Sequence, residues 1–176
     1  MTQKASSGES YRNIALGGRS GSGKTMIAEY LVSQFGYTHC NTGHVVRHIC
    51  RLLFESESKS TLNRVSDAIR GIDENVWLRA ALKDQSPPIV FDSVRSKSEY
   101  FYLKDRGFHI WRVESSLQVR INRMRLRGQE FDPINDERHL TEIDLDDAPF
   151  DHRIINSDEN LSALYLKVDE AMLLLS

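Results

Sequence analysis

Gly18-Arg19-Ser20-Gly21-Ser22-Gly23-Lys24-Thr25 follows the spacing G-x-x-x-x-G-K-[ST]. Glycines at these intervals let a backbone approach a polyphosphate closely, so the N–H groups of Arg19, Ser20, Gly21, Ser22 and Gly23 can face its oxygens. Lys24 is expected to reach the β and γ phosphates of ATP, and the Thr25 hydroxyl to hold Mg²⁺. Such a loop works only between a strand and a helix. Ile14-Ala15-Leu16 before it is apolar enough for a buried strand. After it, Met26 to Phe35 places Ile27, Leu31 and Phe35 at helical spacing, with Gly36 as the stop.

Phosphate binding does not define a reaction, so other charged positions must. Ile89-Val90-Phe91-Asp92 is an apolar run ending in an acid, as at the carboxyl edge of a parallel sheet where ligands bind. Asp92 there would hold Mg²⁺ through water, orient an acceptor, or simply cap the strand exit. Ser93 follows it instead of the Glu of a motor ATPase, and no Asn-Lys-x-Asp segment is present to read guanine. Arg47 comes just after Thr42-Gly43, and Arg95 stands three residues beyond Asp92. Both suit a second anion, because a guanidinium binds phosphate bidentately. A helix over 116–127 carries Arg120, Arg123, Arg125 and Arg127, and Arg120, Arg123 and Arg127 share a face. Three like charges on one face repel, a cost that bound polyphosphate would relieve. These groups together predict two phosphate sites under a movable basic cover that excludes water.

The elements that carry them alternate as strand and helix. Strands are expected at 14–16, 37–40, 89–92, 108–113 and 152–155. Helices are expected at 26–35, after Gly43, at 61–70, 74–84, 97–105, 116–127, near 139–146, and at 159–175. The pattern predicts an α/β fold, a five-stranded parallel sheet with helices on both faces. Residues 1–10 read as a disordered tail and 11–176 as a single domain. Within it, a helical acceptor-binding segment falls at about 42–84 and a lid at about 120–138. With 176 residues, 40% hydrophobic and 27% charged, the chain can bury a sizeable core. A net charge of -2 gives no overall pull on nucleic acid or anionic membrane, so small-molecule nucleotides are the expected partners. Cys40 and Cys50 form neither a disulfide framework nor a zinc spacing. With no signal-like or membrane-length apolar run, the expected setting is cytoplasmic, as a monomer or homodimer. The six histidines form no metal-ligand spacing. Tyr100, Tyr102 and Trp111 fit packing better than base stacking.

Over nearly its whole length the sequence resembles the nucleoside monophosphate kinases that carry a phosphate loop. Asn41-Thr42-Gly43-His44-Val45-Val46-Arg47 is similar to their Thr-Gly-x-x-x-Arg segment, and Phe91-Asp92-Ser93-Val94-Arg95 to the acid-plus-arginine segment of their third strand. Arg123 and Arg127 fall where the lid arginines lie. Asp151 to Asn156 is similar to the strand and loop bordering the donor adenine, which makes Asn156 an adenine-side residue. His139-Leu140-Thr141-Glu142 with Asp144 and Asp146 resembles the tail of phage and bacterial deoxynucleoside monophosphate kinases. His44 stands where adenylate kinases carry Asp, and their Asp-Gly-Phe-Pro-Arg segment is shortened here. The resemblance implies transfer of the γ-phosphoryl of ATP, with Mg²⁺, to a nucleoside or deoxynucleoside monophosphate. Lys24, Asp92, Arg123 and Arg127 would be the catalytic groups, and Thr42, Gly43, Arg47, Asp92 and Arg95 the acceptor site. Thr25, with Asp92 through water, would hold the metal. A dephospho-CoA-like or modified-nucleoside acceptor, or a nucleotide-binding regulatory protein without turnover, are the alternatives.

Overall fold

The computed structural model describes residues 11–128, 144–157 and 160–175. Five parallel strands, β1 (Ile14–Gly17), β2 (Thr38–Cys40), β3 (Ile89–Val94), β4 (His109–Glu114) and β5 (His152–Ile155), form one sheet in the order β2-β3-β1-β4-β5. The helices among the described residues are α1 (Lys24–Phe35), α2 (Thr42–Phe54), α3 (Lys59–Arg70), α4 (Val76–Leu82), α5 (Lys97–Lys104), α6 (Leu117–Leu126) and α7 (Leu161–Leu173). The expected tail at 1–10 and the lid portion 129–138 lie outside the described residues. So does most of the expected short helix near 139–146, whose described part, from residue 144, is turn.

Alternation along the central strands divides the core. Ile14 and Leu16 of β1, Val90 of β3, and Trp111 and Val113 of β4 face α1 and α7, where Ile27, Leu31, Leu164 and Val168 meet them. Ala15, Phe91 and Ile110 point the other way, onto Leu78 of α4 and Tyr100 and Leu103 of α5. A strand buried on both faces favours apolar residues at successive positions, which explains the run Ile89-Val90-Phe91 that opens β3. Tyr100 and Trp111 are core residues, and the Tyr102 ring lies 3.5 Å beneath the Arg106 guanidinium. A smaller cluster, Val46, Cys50 and Trp77, holds α2, α3 and α4 together.

Local chemistry sets the helix ends. Gly36 closes α1 at φ 71, its N–H donating to Leu31 O and Val32 O. Ser96 caps α5 by accepting from Glu99 N, while Glu99 Oε2 accepts from Arg95 N, just before the cap. No helix among the described residues is long and apolar enough to cross a membrane.

Leu31 is fully buried and Leu52 is 68% exposed, although both stand at apolar helix positions. Leu31→Ala should lower unfolding free energy by about 2–5 kcal/mol. Leu52→Ala should change it by no more than about 0.5 kcal/mol. Equilibrium denaturation of both variants checks the assignment of faces.

Candidate active site

The phosphate loop leaves β1 at the carboxyl edge of the sheet and turns directly into α1. Gly18, Gly21 and Gly23 hold φ values of 136°, 78° and 103°, a region that side chains disfavour. Space is restricted as well. A Cβ on Gly18 would collide with Val113 O, and one on Gly23 with Asn156 Nδ2. Lys24 Nζ donates to Gly18 O at 2.6 Å and Arg19 O at 3.1 Å, which keeps the ammonium across the loop. Arg19 pairs with Asp146 at 2.8 Å, and Asp146 also accepts from Arg112 at 2.6 Å.

Asp92 is 3% exposed at the end of β3 and is met from three other segments. Thr25 Oγ1 donates to its Oδ2 at 2.9 Å, and Asn41 Nδ2 donates to Oδ1. His39 Nε2 lies 3.2 Å from Oδ2, at ion-pair distance without the alignment of a hydrogen bond. Burial pushes the Asp92 pKa up, but His39, Asn41 and Thr25 outweigh it and hold the carboxyl below its ordinary value. The neighbouring carboxylate in turn raises His39 above its ordinary value, against burial and with help from Glu29. Among the described residues no three His, Cys, Asp or Glu side chains gather around a metal position. Thr25 and Asp92 offer hard oxygen donors side by side. That fits Mg²⁺, which takes few protein ligands and completes its shell with water and phosphate oxygens.

The same acid positions the next helix. Asn41 precedes α2 without capping it, and its Nδ2 donates to Asp92 instead. Ser93 Oγ accepts from Thr42 N at 3.1 Å and so caps α2 from the adjacent strand. A Cβ on Gly43 would sit 2.8 Å from Asn41 Oδ1 and 3.3 Å from an Arg47 guanidinium nitrogen. Arg47 therefore folds back along α2 towards the helix start, as helical side chains do. Arg47 and Arg95 are both exposed, on segments that leave the carboxyl edge after β2 and β3.

On the other side of the loop, a cavity of about 490 Å³ is lined by Met26, Val119, Asn122, Arg123, Leu126, Arg127, Asn156, Asn160, Leu161 and Leu164, with Gly23 at its edge. Apolar walls with a few amides suit a nucleobase beside the phosphate loop. Asn156 borders this cavity and donates from Nδ2 to Ser22 O at 2.8 Å. A more open groove of about 690 Å³, lined by Asn13, Ile89, Arg106 and Phe108 among others, lies at the opposite edge of the sheet. The α6 arginines do not form the uniform basic face expected of them. Arg120 is buried, Arg123 is partly buried against Asn156 Oδ1 at 3.2 Å, and Arg127 is exposed. Sequence reasoning missed His39, Asn41 and the bonding of Asn156, none of which belongs to the loop pattern. The apolar strand ending in Asp92 was a signal that a buried acid needs donors nearby.

The two shifts define a pH window. A raised His39 pKa contributes fully below 6.5 and fades as pH rises through the folded value. A lowered Asp92 pKa contributes fully above 3.8 and fades as pH falls through the folded value. The stability lost in His39→Gln should therefore be greatest between those two ordinary values and shrink on either side. Denaturation at stepped pH reads it. A difference that does not vary with pH would mean that the contact carries no charge.

A family model described as an AAA domain matches residues 14–143. None of the curated proteins matches the chain in sequence. The fold is similar to that of a gluconokinase from Sinorhizobium meliloti, with TM-score 0.57 and 18% identity, covering 96% of this chain and 95% of that one. It is also similar to shikimate kinase from Acinetobacter baumannii in complex with shikimate, with TM-score 0.58, 15% identity and 93% coverage of each chain. The strand order and the loop-to-helix junction are those of a phosphate-loop, kinase-like α/β fold, and the chain belongs to the AAA domain family.

Proposed function

We propose that the chain is an ATP- and Mg²⁺-dependent phosphotransferase acting on a small acceptor, and that the acceptor is a nucleoside or deoxynucleoside monophosphate. The observation that carries this reading is the state of Asp92. Both of its oxygens are engaged, Oδ2 by Thr25 and His39 and Oδ1 by Asn41. A carboxylate so committed suits support of a metal better than abstraction of a proton. An acceptor phosphate is already ionised at neutral pH and needs no strong base, whereas a hydroxyl does.

On this reading Arg19 to Thr25 hold the donor phosphates, and the cavity beside Asn156 takes the donor base. Thr25, with Asp92 through water, would hold Mg²⁺, whose charge would neutralise the phosphates. Lys24 and Arg127 place positive charge on the transferring group, with Arg123 assisting from the cavity wall. Thr42 and Gly43 fix the start of α2, and Arg47 and Arg95 bind the acceptor phosphate. A charge-dispersed transition state asks for this positioning and electrostatic field more than for a covalent nucleophile.

A second reading, a hydroxyl-bearing acceptor, is favoured by one observation. His39 lies against an ionised Asp92, a pairing that could take up an acceptor proton. The fold relatives named as a gluconokinase and as a shikimate kinase with bound shikimate are in keeping with it.

A panel of ribo- and deoxynucleoside monophosphates, with sugar and hydroxy-acid acceptors alongside, separates the two by ADP release. Acceptor-dependent turnover is expected with one or more monophosphates. Turnover only with hydroxyl acceptors would transfer the assignment to the second reading, and ATP binding with none would leave a regulatory protein. Arg47→Ala should raise the acceptor KM about 10- to 100-fold, the loss of one charge-assisted contact, and leave the KM for ATP nearly unchanged.

A further inference from the structure

Arg120 is 3% exposed, which is unusual for a guanidinium and costly unless its donors are satisfied. Its Nε donates to Ser115 O at 3.2 Å, just before α6, and a terminal nitrogen donates to Ser20 O at 3.3 Å, within the phosphate loop. The loop's tip is pressed against the same residue. A Cβ on Gly21 would come within 3.0–3.2 Å of the Arg120 carbonyl oxygen, Cβ and Cα. The next two carbonyls are met in the same way. Gly21 O lies 3.5 Å from an Arg123 guanidinium nitrogen, and Ser22 O accepts from Asn156 at 2.8 Å. Three successive loop carbonyls are thus held by Arg120, Arg123 and Asn156.

A trans peptide points its N–H opposite to its C=O. Fixing Ser20 O against Arg120 therefore fixes the Gly21 N–H on the other side of the chain. Fixing Ser22 O against Asn156 does the same for the Gly23 N–H. The intervening Ser22 N–H closes a turn onto Arg19 O at 3.2 Å. The inward donors of an anion-binding loop are its working groups, and their directions are set here from the outside.

We propose that Arg120 is a positioning residue: from the first turns of α6 it holds the loop carbonyls outward so that the Gly21 and Gly23 amides stay aimed at the donor phosphates. This departs from a role as part of a movable basic cover, because a buried arginine bonded to the loop cannot swing clear of it. The inference rests on the reading of Gly18–Thr25 as the donor phosphate loop.

Arg120→Met keeps much of the side-chain volume and removes the donors. Arg120→Lys keeps the charge but loses the fork that spans Ser115 O and Ser20 O. Met124→Ala, a truncation at a buried position of the same helix that is 4% exposed, serves as the stability control. ATP binding is measured by calorimetry with Mg²⁺ and without acceptor, at a temperature where every variant is folded. Hydrogen exchange of the peptide spanning Gly21 and Gly23 is followed without nucleotide. Arg120→Met should weaken ATP binding about 10- to 100-fold, the loss of one or two charge-assisted hydrogen bonds, and speed exchange at the loop. Arg120→Lys should fall between it and the parent, and stands in if Arg120→Met does not fold. Met124→Ala should lower Tm yet bind ATP like the parent. ATP affinity in Arg120→Met within twofold of the parent, or an equal loss in Met124→Ala, would overturn the inference alone. A parent protein that binds no ATP would overturn the donor-loop reading and the inference with it.

Discussion

A buried negative charge holds this site together. Asp92 at the end of β3 is almost fully removed from water, and a carboxylate there stays ionised only if donors replace the solvent. Thr25 in the first turn of α1 and Asn41 at the β2–α2 junction donate to it, and His39 in β2 lies at ion-pair distance. Satisfying one side chain therefore fixes three chain segments with respect to one another. α1 and the start of α2 are tied to the same pair of oxygens. Ser93 extends the arrangement by capping α2 across the strand boundary. A parallel sheet brings these ends to one edge. The acid converts that proximity into a fixed geometry.

Close approach is the second constraint, and it explains why the loop glycines do different jobs. Gly18 passes so near Val113 O that no side chain fits, which lets β1 leave the sheet beside β4. Gly23 faces Asn156, so the asparagine amide can reach Ser22 O and the loop can meet the wall of the neighbouring cavity. Gly43 lies outside the loop and has no unusual φ; its lack of a side chain makes room between Asn41 and Arg47. Backbone freedom is the issue in the loop, and simple volume is the issue in α2.

The legible features of the sequence were those with a local signature. Hydrophobic periodicity and glycine stops located all five strands and most helix ends within a residue or two, and βα alternation implied the parallel sheet. The loop pattern located the turn between β1 and α1. What the sequence could not reveal was pairing over long separations. Nothing near His39 or Asn41 announces a partner some fifty residues away at Asp92, and nothing near Asn156 announces Ser22. The α6 arginines show the same difficulty from the other side. A repeat of three and four residues says which side chains share a helix face, and it does not say whether that face meets solvent or the carbonyls of another segment.

That last distinction changes what α6 can do. Its arginines pass from buried at Arg120, through partly buried at Arg123, to exposed at Arg127, so burial falls along the helix. The amino-terminal turns are bonded to the phosphate loop, and the same stretch supplies Val119 and Asn122 to the wall of the cavity beside it. One helix therefore touches both the loop and the cavity wall. The buried arginine preserves the geometry of the loop, and the exposed one is left to respond to what binds.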